Sequence, residues 1–316
     1  VGTYSRARTS APILSVPFES EPFSTSGNVA HAVISPDGKH FVYSTETGGK
    51  QNLWLRSLET AENVQLIPPS DDHYLGFAFS KSGNTIFFVR KSSDDSAPTA
   101  VYRIATFGGI PAKIIDKAEG WISISPDDQH ISFVRCEYTD QDFCSLLTAG
   151  IDGSNERLLV SKPRPIRISA QDFSPDGKSI GYAAGHSTNG GSDFQILRIN
   201  IADGTETEIT PKRYFNVKSL KWLPSGDELL LTAMEMLDGK LNIWRLDAVT
   251  REAVSLTKDS VNYNAISLDA AATQIISTQL SNSFKLVRTI GGKTKVLTAA
   301  RFATFSRDGR IVYVAD

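Results

Sequence analysis

Short apolar runs alternate with compact polar turns along nearly the whole chain, and no stretch holds a 3.6-residue helical period. In "VISPDGKHFVYS" (33–44), Val33-Ile34 and Phe41-Val42-Tyr43 flank the turn Ser35-Pro36-Asp37-Gly38. Proline pre-sets φ at the second turn position, Ser and Asp side chains bond nearby backbone N–H groups, and glycine accepts the positive φ that closes the loop. β-Branched and aromatic residues on both sides predict two antiparallel strands. Near-copies follow at Ser80-Lys81-Ser82-Gly83, Ser125-Pro126-Asp127-Asp128, Ser174-Pro175-Asp176-Gly177, Leu223-Pro224-Ser225-Gly226, a degraded Ser267-Leu268-Asp269-Ala270, and Ser306-Arg307-Asp308-Gly309. The anchors at 35, 80, 125, 174, 223, 267 and 306 lie 45, 45, 49, 49, 44 and 39 residues apart. Periods of roughly 40 to 50 residues with four strands each mark propeller blades.

The rest of each period agrees. A third strand follows a polar loop ("NLWLRSL", "AVYRIAT", "FQILRIN", "LNIWRLD"), then a turn often holding glycine, then a short fourth strand such as "NVQLIP" or "TEIT". Arg56, Arg103, Arg198, Arg245 and Arg288 share one register of the third strand. That register supports the alignment and is read as an exposed or blade-to-blade polar position. The fold expected is all-β, a β-propeller of four-stranded antiparallel blades, with seven blades of which the last is composite. Residues 1–11 read as a linker and 12–316 as the propeller. "ILSVPFE" and "PFSTS" are candidate strands for completing the last blade; the alternative is a ring that includes further repeats beyond Asp316.

Composition changes this picture only at its edges. A simple length prior for 316 residues would allow two domains, but stacked blades absorb the whole chain into one ring. A net charge of −2 argues against nucleic acid as a partner, which demands a basic field. No run approaches 18 apolar residues, so no membrane insertion is expected within this chain. A start at Val1 without a signal peptide reads as a processed chain or a fragment. Cys136 and Cys144 bracket "EYTDQDF" in one hairpin and are a disulfide candidate, with two free thiols as the other reading.

The chain lacks a G-x-S-x-G elbow, a phosphate loop, a dinucleotide fingerprint and an H-E-x-x-H pair. The five histidines (31, 40, 73, 130, 186) are dispersed, and the aspartates cluster in turns that explain them. No catalytic residue, metal or cofactor is therefore expected. The loops that join one blade to the next collect Tyr74, Trp121, Arg164, Arg167, Tyr214, Asn216, Tyr263, Asn264 and Arg301. Aromatic and Arg residues are enriched where proteins bind partners. As a set they predict a binding mouth for a protein, peptide or small ligand on that side of the ring. Taken singly, each also reads as a residue that starts an inner strand and packs.

Repeats of the form S-P-D-G, apolar strand, "NLW" or "NIW" strand, D-G and "LT" resemble the TolB-like propeller repeats, which are similar to WD repeats. "SGNVAHAVISPDGKHFVYS", "QNLWLRSLETAENVQLIPP" and "NVKSLKWLPSGDELLLTA" further resemble the propeller region of bacterial membrane-anchored serine/threonine kinases and winged-helix regulators. That resemblance implies an extracytoplasmic sensor or interaction domain of a larger signalling protein. Similar repeats also occur in the propeller gate of prolyl-oligopeptidase-like serine peptidases and in free periplasmic scaffolds like TolB. No kinase or winged-helix motif is present, so no residue of those activities carries over.

Overall fold

The computed structural model describes residues 28–137, 142–188, 191–237, 239–257, 262–279, 285–290, 293–299, 302–305 and 311–314. It divides into two compact units, Val1–Gln279 and Leu280–Asp316. The linker 1–11, the candidate strands before residue 28, Arg301 and the anchor at 306 lie outside the described residues.

The first unit is a β-propeller. Blade 1 is β1 (Asn28–Ile34), β2 (His40–Thr47), β3 (Lys50–Ser57) and β4 (Asn63–Ser70). Blade 2 is β5 (His73–Phe79), β6 (Thr85–Lys91), β7 (Ala100–Ala105) and β8 (Ala112–Asp116). Blade 3 is β9 (Glu119–Ile124), β10 (His130–Glu137), β11 (Phe143–Gly150) and β12 (Arg157–Pro163). Blade 4 is β13 (Arg167–Phe173), β14 (Ser179–Thr188), β15 (Gly191–Asn200) and β16 (Glu206–Tyr214). Blade 5 is β17 (Asn216–Trp222), β18 (Glu228–Met234), β19 (Asn242–Asp247) and β20 (Ala253–Ser255). Each is an antiparallel four-stranded sheet in chain order. A two-stranded sheet follows, β21 (Tyr263–Leu268) with β22 (Ile275–Gln279). The second unit holds two hairpin sheets, β23 (Lys285–Ile290) with β24 (Lys293–Ala299) and β25 (Phe302–Phe305) with β26 (Ile311–Val314).

Apolar packing shows how the ring is built. Central strands are buried on both faces, because each blade is covered by two neighbours; β6 reads Ile86, Phe87, Phe88 and Val89, all buried. The outer β4 and β8 are largely exposed. Separate core clusters fill the junctions of blades 1/2, 2/3, 3/4 and 4/5. A fifth cluster joins blade 5 to the two-stranded sheet through Leu223, Leu230, Tyr263 and Ile266. A sixth sets Ala32, Phe41 and Tyr43 of blade 1 against Ile276 of that same sheet. β21 therefore lies between β17 and β1 and closes the circuit.

Among the described residues there are five four-stranded blades and three two-stranded sheets where seven blades were expected. Counting turns along the chain registers how often the motif occurs. It does not register that β21 and β22 already fill the gap beside blade 1. The backbone also moves the sixth turn. In every described turn the anchor N–H donates to the carbonyl five residues on, Ser35 to His40 at 2.8 Å for instance, and the residue performing this in the sixth is Asp269, to Gln274 at 3.3 Å. The anchor is thus Asp269, two residues after Ser267, with Ala272 at φ 51° where Gly38 has φ 70°.

Side chains lock these turns as their types dictate. The Ser35 hydroxyl donates to Asp37 at 2.5 Å and accepts from the His40 N–H at 3.0 Å, while Asp37 accepts from the Lys39 N–H at 3.0 Å. Ser125 with Asp127 and Ser174 with Asp176 repeat the arrangement. These bonds hold the carboxyls of Asp127 and Asp176 below the usual range.

Asp128 departs from the pattern. It occupies the glycine position at φ 58° and extends its carboxylate into the turn of blade 2, accepting from the N–H groups of Lys81 at 2.5 Å and Ser82 at 2.8 Å. Asp128→Ala loses both bonds and keeps the strained φ, so it is expected to cost about 1–2 kcal/mol. Asp128→Gly relaxes the backbone and costs less. Urea midpoints of the two variants check the order.

Candidate functional site

The ends of the six inner strands converge on a cavity of about 280 Å³ on the side of the ring that carries the S-P-D-G turns. Its lining follows the repeat. Two residues before each anchor stand Val33, Ala78, Ser123, Asp172, Lys221 and Ser267. One residue before stand Ile34, Phe79, Ile124, Phe173, Trp222 and Leu268, and just after come Pro36, Lys81, Pro126, Pro175, Pro224 and Ala270. The walls are therefore apolar side chains and proline rings, interrupted by a few polar groups.

Most of those polar groups fasten one blade to the next. The Ser123 hydroxyl of blade 3 accepts from the Phe173 N–H of blade 4 at 3.2 Å, and Ser267 accepts from the Ile34 N–H across the closing junction at 3.1 Å. Asp172, 7% exposed, does the same for blade 5, accepting from the Trp222 N–H at 3.0 Å. It also accepts from the Ser123 hydroxyl at 2.7 Å and from the Lys221 ammonium at 3.0 Å. One carboxylate thus joins three blades and neutralises one of the two lysines in the cavity. Asp269 spends its carboxylate on its own turn, accepting from the Thr273 N–H and hydroxyl and the Gln274 N–H.

Lys81 is different. It is exposed at the cavity rim, and among the described residues no carboxylate lies within ion-pair distance of its ammonium. Crowding by protein pulls its pKa below the usual lysine value; Asp172 opposes this, Lys221 adds to it, and Asp128 opposes it in turn. A second recess of about 350 Å³ opens from the same rim between blades 1 and 2, sharing Pro36, Lys81 and Ala270 with the first. His40 meets Phe107 edge-on there at 5.6 Å, and Phe107 is 73% exposed.

Further into the ring, His31 of blade 1 meets Trp121 of blade 3 edge-on at 5.3 Å. From blade 2, Phe77 meets the same His31 ring at 6.2 Å, and at the adjoining Gly76 a Cβ would lie 2.6 Å from the Gly120 carbonyl of blade 3. His31 Nδ1 is buried with no hydrogen-bond partner among the described residues, and burial lowers its pKa to about 4.

The residues expected at the opposite mouth divide in two. Tyr74, Tyr214 and Tyr263 are 1%, 1% and 4% exposed and pack in the junction cores. Burial raises the phenol of Tyr74 to about 12 and that of Tyr214 further still. These aromatic rings lie at strand boundaries and fill space between blades, so their side chains are out of reach of a surface partner. Arg164 and Arg167 are exposed and Trp121, Asn216 and Asn264 half-buried; Arg164 pairs with Asp142 at 3.2 Å. Arg301 lies outside the described residues. Cys136 and Cys144 stand opposite each other on β10 and β11 and form a disulfide. Asp172, Lys221 and Lys81 were not singled out from the sequence. The available signal was the column two places before each anchor, where serines, an aspartate and a lysine interrupt positions that core packing alone would keep apolar.

No protein-family model matches the chain. Among solved structures it is similar to TolB from Agrobacterium tumefaciens, with a TM-score of 0.59 at 19% identity over 74% of this chain and 82% of that one. TolB from Acinetobacter baumannii gives a TM-score of 0.57 at 16% identity over 92% of this chain and 63% of that one. The oligogalacturonate lyase of Vibrio parahaemolyticus gives 0.55 at 14% identity over 86% and 78%. These likenesses establish a TolB-like β-propeller fold. Among curated sequences the chain is 24% identical over 196 residues to dipeptidyl-peptidase 5 of Porphyromonas gingivalis. That match takes in 58% of this chain and spans only 28% of that protein's length.

Proposed function

We propose that this TolB-like propeller is a non-catalytic recognition module, working outside the cytoplasm as part of a larger signalling protein, and that it binds its partner at the channel mouth on the turn side. The observation that carries the reading is the rim cavity, with an apolar wall and one ammonium, Lys81, that no described carboxylate neutralises. Concave, mostly apolar sites with a few convergent polar groups are where proteins take ligands. The Cys136–Cys144 disulfide fits an oxidising compartment. This moves the binding role away from the opposite mouth, where Trp121, Arg164, Arg167, Asn216 and Asn264 remain the competing surface.

Charge reversal separates the two faces. Lys81→Glu is expected to weaken partner binding at least tenfold, while Arg167→Glu leaves it within twofold. The reverse result places the partner on the opposite mouth and ends this reading. Among the described residues the Lys81 side chain has no hydrogen-bond or ion-pair partner, so the substitution tests binding without dismantling a junction.

The second reading, a propeller that gates a peptidase, draws on the dipeptidyl-peptidase 5 match. A G-x-S-x-G followed by Asp and His in the parent reading frame would favour it. Under both readings the isolated chain hydrolyses peptide and ester substrates only at background rates; robust turnover refutes both.

A further inference from the structure

We propose that the channel mouth is a binding site for an organic carboxylate with an apolar body, the carboxylate seated on Lys81 and the body against Ile124, Phe173 and Trp222. The inference rests on the turn-side mouth being the recognition site and adds the chemistry of what enters it.

Charge accounting points to the carboxylate. Four charged side chains line the cavity: Lys81, Lys221, Asp172 and Asp269. Lys221 is spent on Asp172 at 3.0 Å. Asp172 is held by two further donors, and Asp269 is turned into its own loop. Lys81, exposed at the rim, is the one of the two lysines with no carboxylate at ion-pair distance among the described residues. An ammonium without a partner can take a counter-ion that arrives with the ligand, and an ammonium-to-carboxylate bond is of the strong, charge-assisted kind. A ligand cation would face two ammonium groups and two carboxylates that are already saturated.

The walls specify the rest. Ile124, Phe173, Trp222, Pro126 and Pro175 present apolar surface beside the ammonium. A bare inorganic anion would leave that surface wet, whereas an aliphatic or aromatic group attached to the carboxylate covers it. About 280 Å³ is small for a ligand site, below the roughly 300–1,000 Å³ typical of drug-sized molecules. It suits a single ring or a branched alkyl group. Two sources offer this chemistry: a free small carboxylic acid, and the last residue of a polypeptide with its terminal carboxylate.

Calorimetric titration of the chain tests this with paired probes: phenylacetate against phenylacetamide, and the tripeptide Ala-Ala-Phe against its C-terminal amide. At least one carboxylate is expected to bind tenfold or more tightly than its amide, and Lys81→Met to abolish that preference. If Ala-Ala-Phe exceeds phenylacetate tenfold, the source is a polypeptide terminus; if phenylacetate matches or exceeds the tripeptide, it is a free acid. Carboxylates that bind no better than their amides, or a preference that survives Lys81→Met, overturn the proposal. The two readings fail separately. A partner lost on Lys81→Glu without any carboxylate preference keeps the mouth and removes this ligand class. A carboxylate preference beside a partner bound at Arg167 does the opposite.

Discussion

Asp172→Ala is expected to destabilise the propeller by about 3–5 kcal/mol, the cost of breaking a buried charge pair by removing one partner. The carboxylate is 7% exposed and receives the Ser123 hydroxyl, the Lys221 ammonium and the Trp222 N–H. Its removal leaves a backbone N–H, a hydroxyl and an ammonium unsatisfied at the meeting point of blades 3, 4 and 5. Asp172→Asn keeps the shape and an acceptor for the Trp222 N–H, so it should lose markedly less. Denaturant unfolding of both variants reads the difference. Equal and small losses would mean that solvent in the channel replaces these bonds. Combining Asp172→Ala with Lys221→Met should restore part of the loss, because the unpaired charge goes with its partner.

The second large effect is an acid sensitivity centred on His31. Burial lowers its pKa from 6.5 to about 4 in the folded chain. The unfolded chain therefore binds a proton at a pH where the folded one does not. Stability is fully present above pH 6.5 and is lost as pH falls toward 4. The loss amounts to about 2 kcal/mol at pH 5 and about 3 kcal/mol below pH 4. His31→Gln should flatten that part of the curve, and the difference between the two proteins isolates His31 from the carboxylates that titrate in the same window. A wild-type His31 resonance that titrates near 6.5 would sink the expectation, and so would identical pH profiles. The geometry behind it is the ring of His31 held edge-on to Trp121 at 5.3 Å and to Phe77 at 6.2 Å, with no partner for Nδ1 among the described residues.

What the sequence revealed follows from what repeats in it. Turn chemistry recurs at nearly constant spacing because every blade needs the same hairpin, so the blades and their strand order were legible from Ser35 to Gly226. The sixth turn was misread by two residues. Asp269 does there with a carboxylate what Ser35 does with a hydroxyl, and Ser267 is a serine that belongs to the strand. Closure was not legible either, since nothing local in residues 263–279 announces that their neighbour is blade 1. The candidate site was the least visible part. Tyr74 and Tyr263 resemble surface aromatics because they adjoin polar loops, yet they fill blade junctions. Asp172 and Lys221 each look ordinary alone and acquire meaning only when their two strands lie side by side. The hairpin disulfide was open to sequence reasoning because register pairs Cys136 with Cys144 directly.

The closing junction also bears on how the molecule comes into being. It ties Ile34 to Ser267 and Gly38 to Gln274, positions 233 and 236 residues apart. Contacts so distant along the chain form late, because the entropy of looping must be met before they contribute. During synthesis, blade 1 emerges first and waits for nearly the entire ring to be made. Throughout that interval the flank bearing Ala32, Phe41 and Tyr43 lacks its contact with Ile276 of β22. The nascent propeller is thus exposed to misassembly at one edge in particular, and a chaperone that shields this edge would act where the risk is greatest.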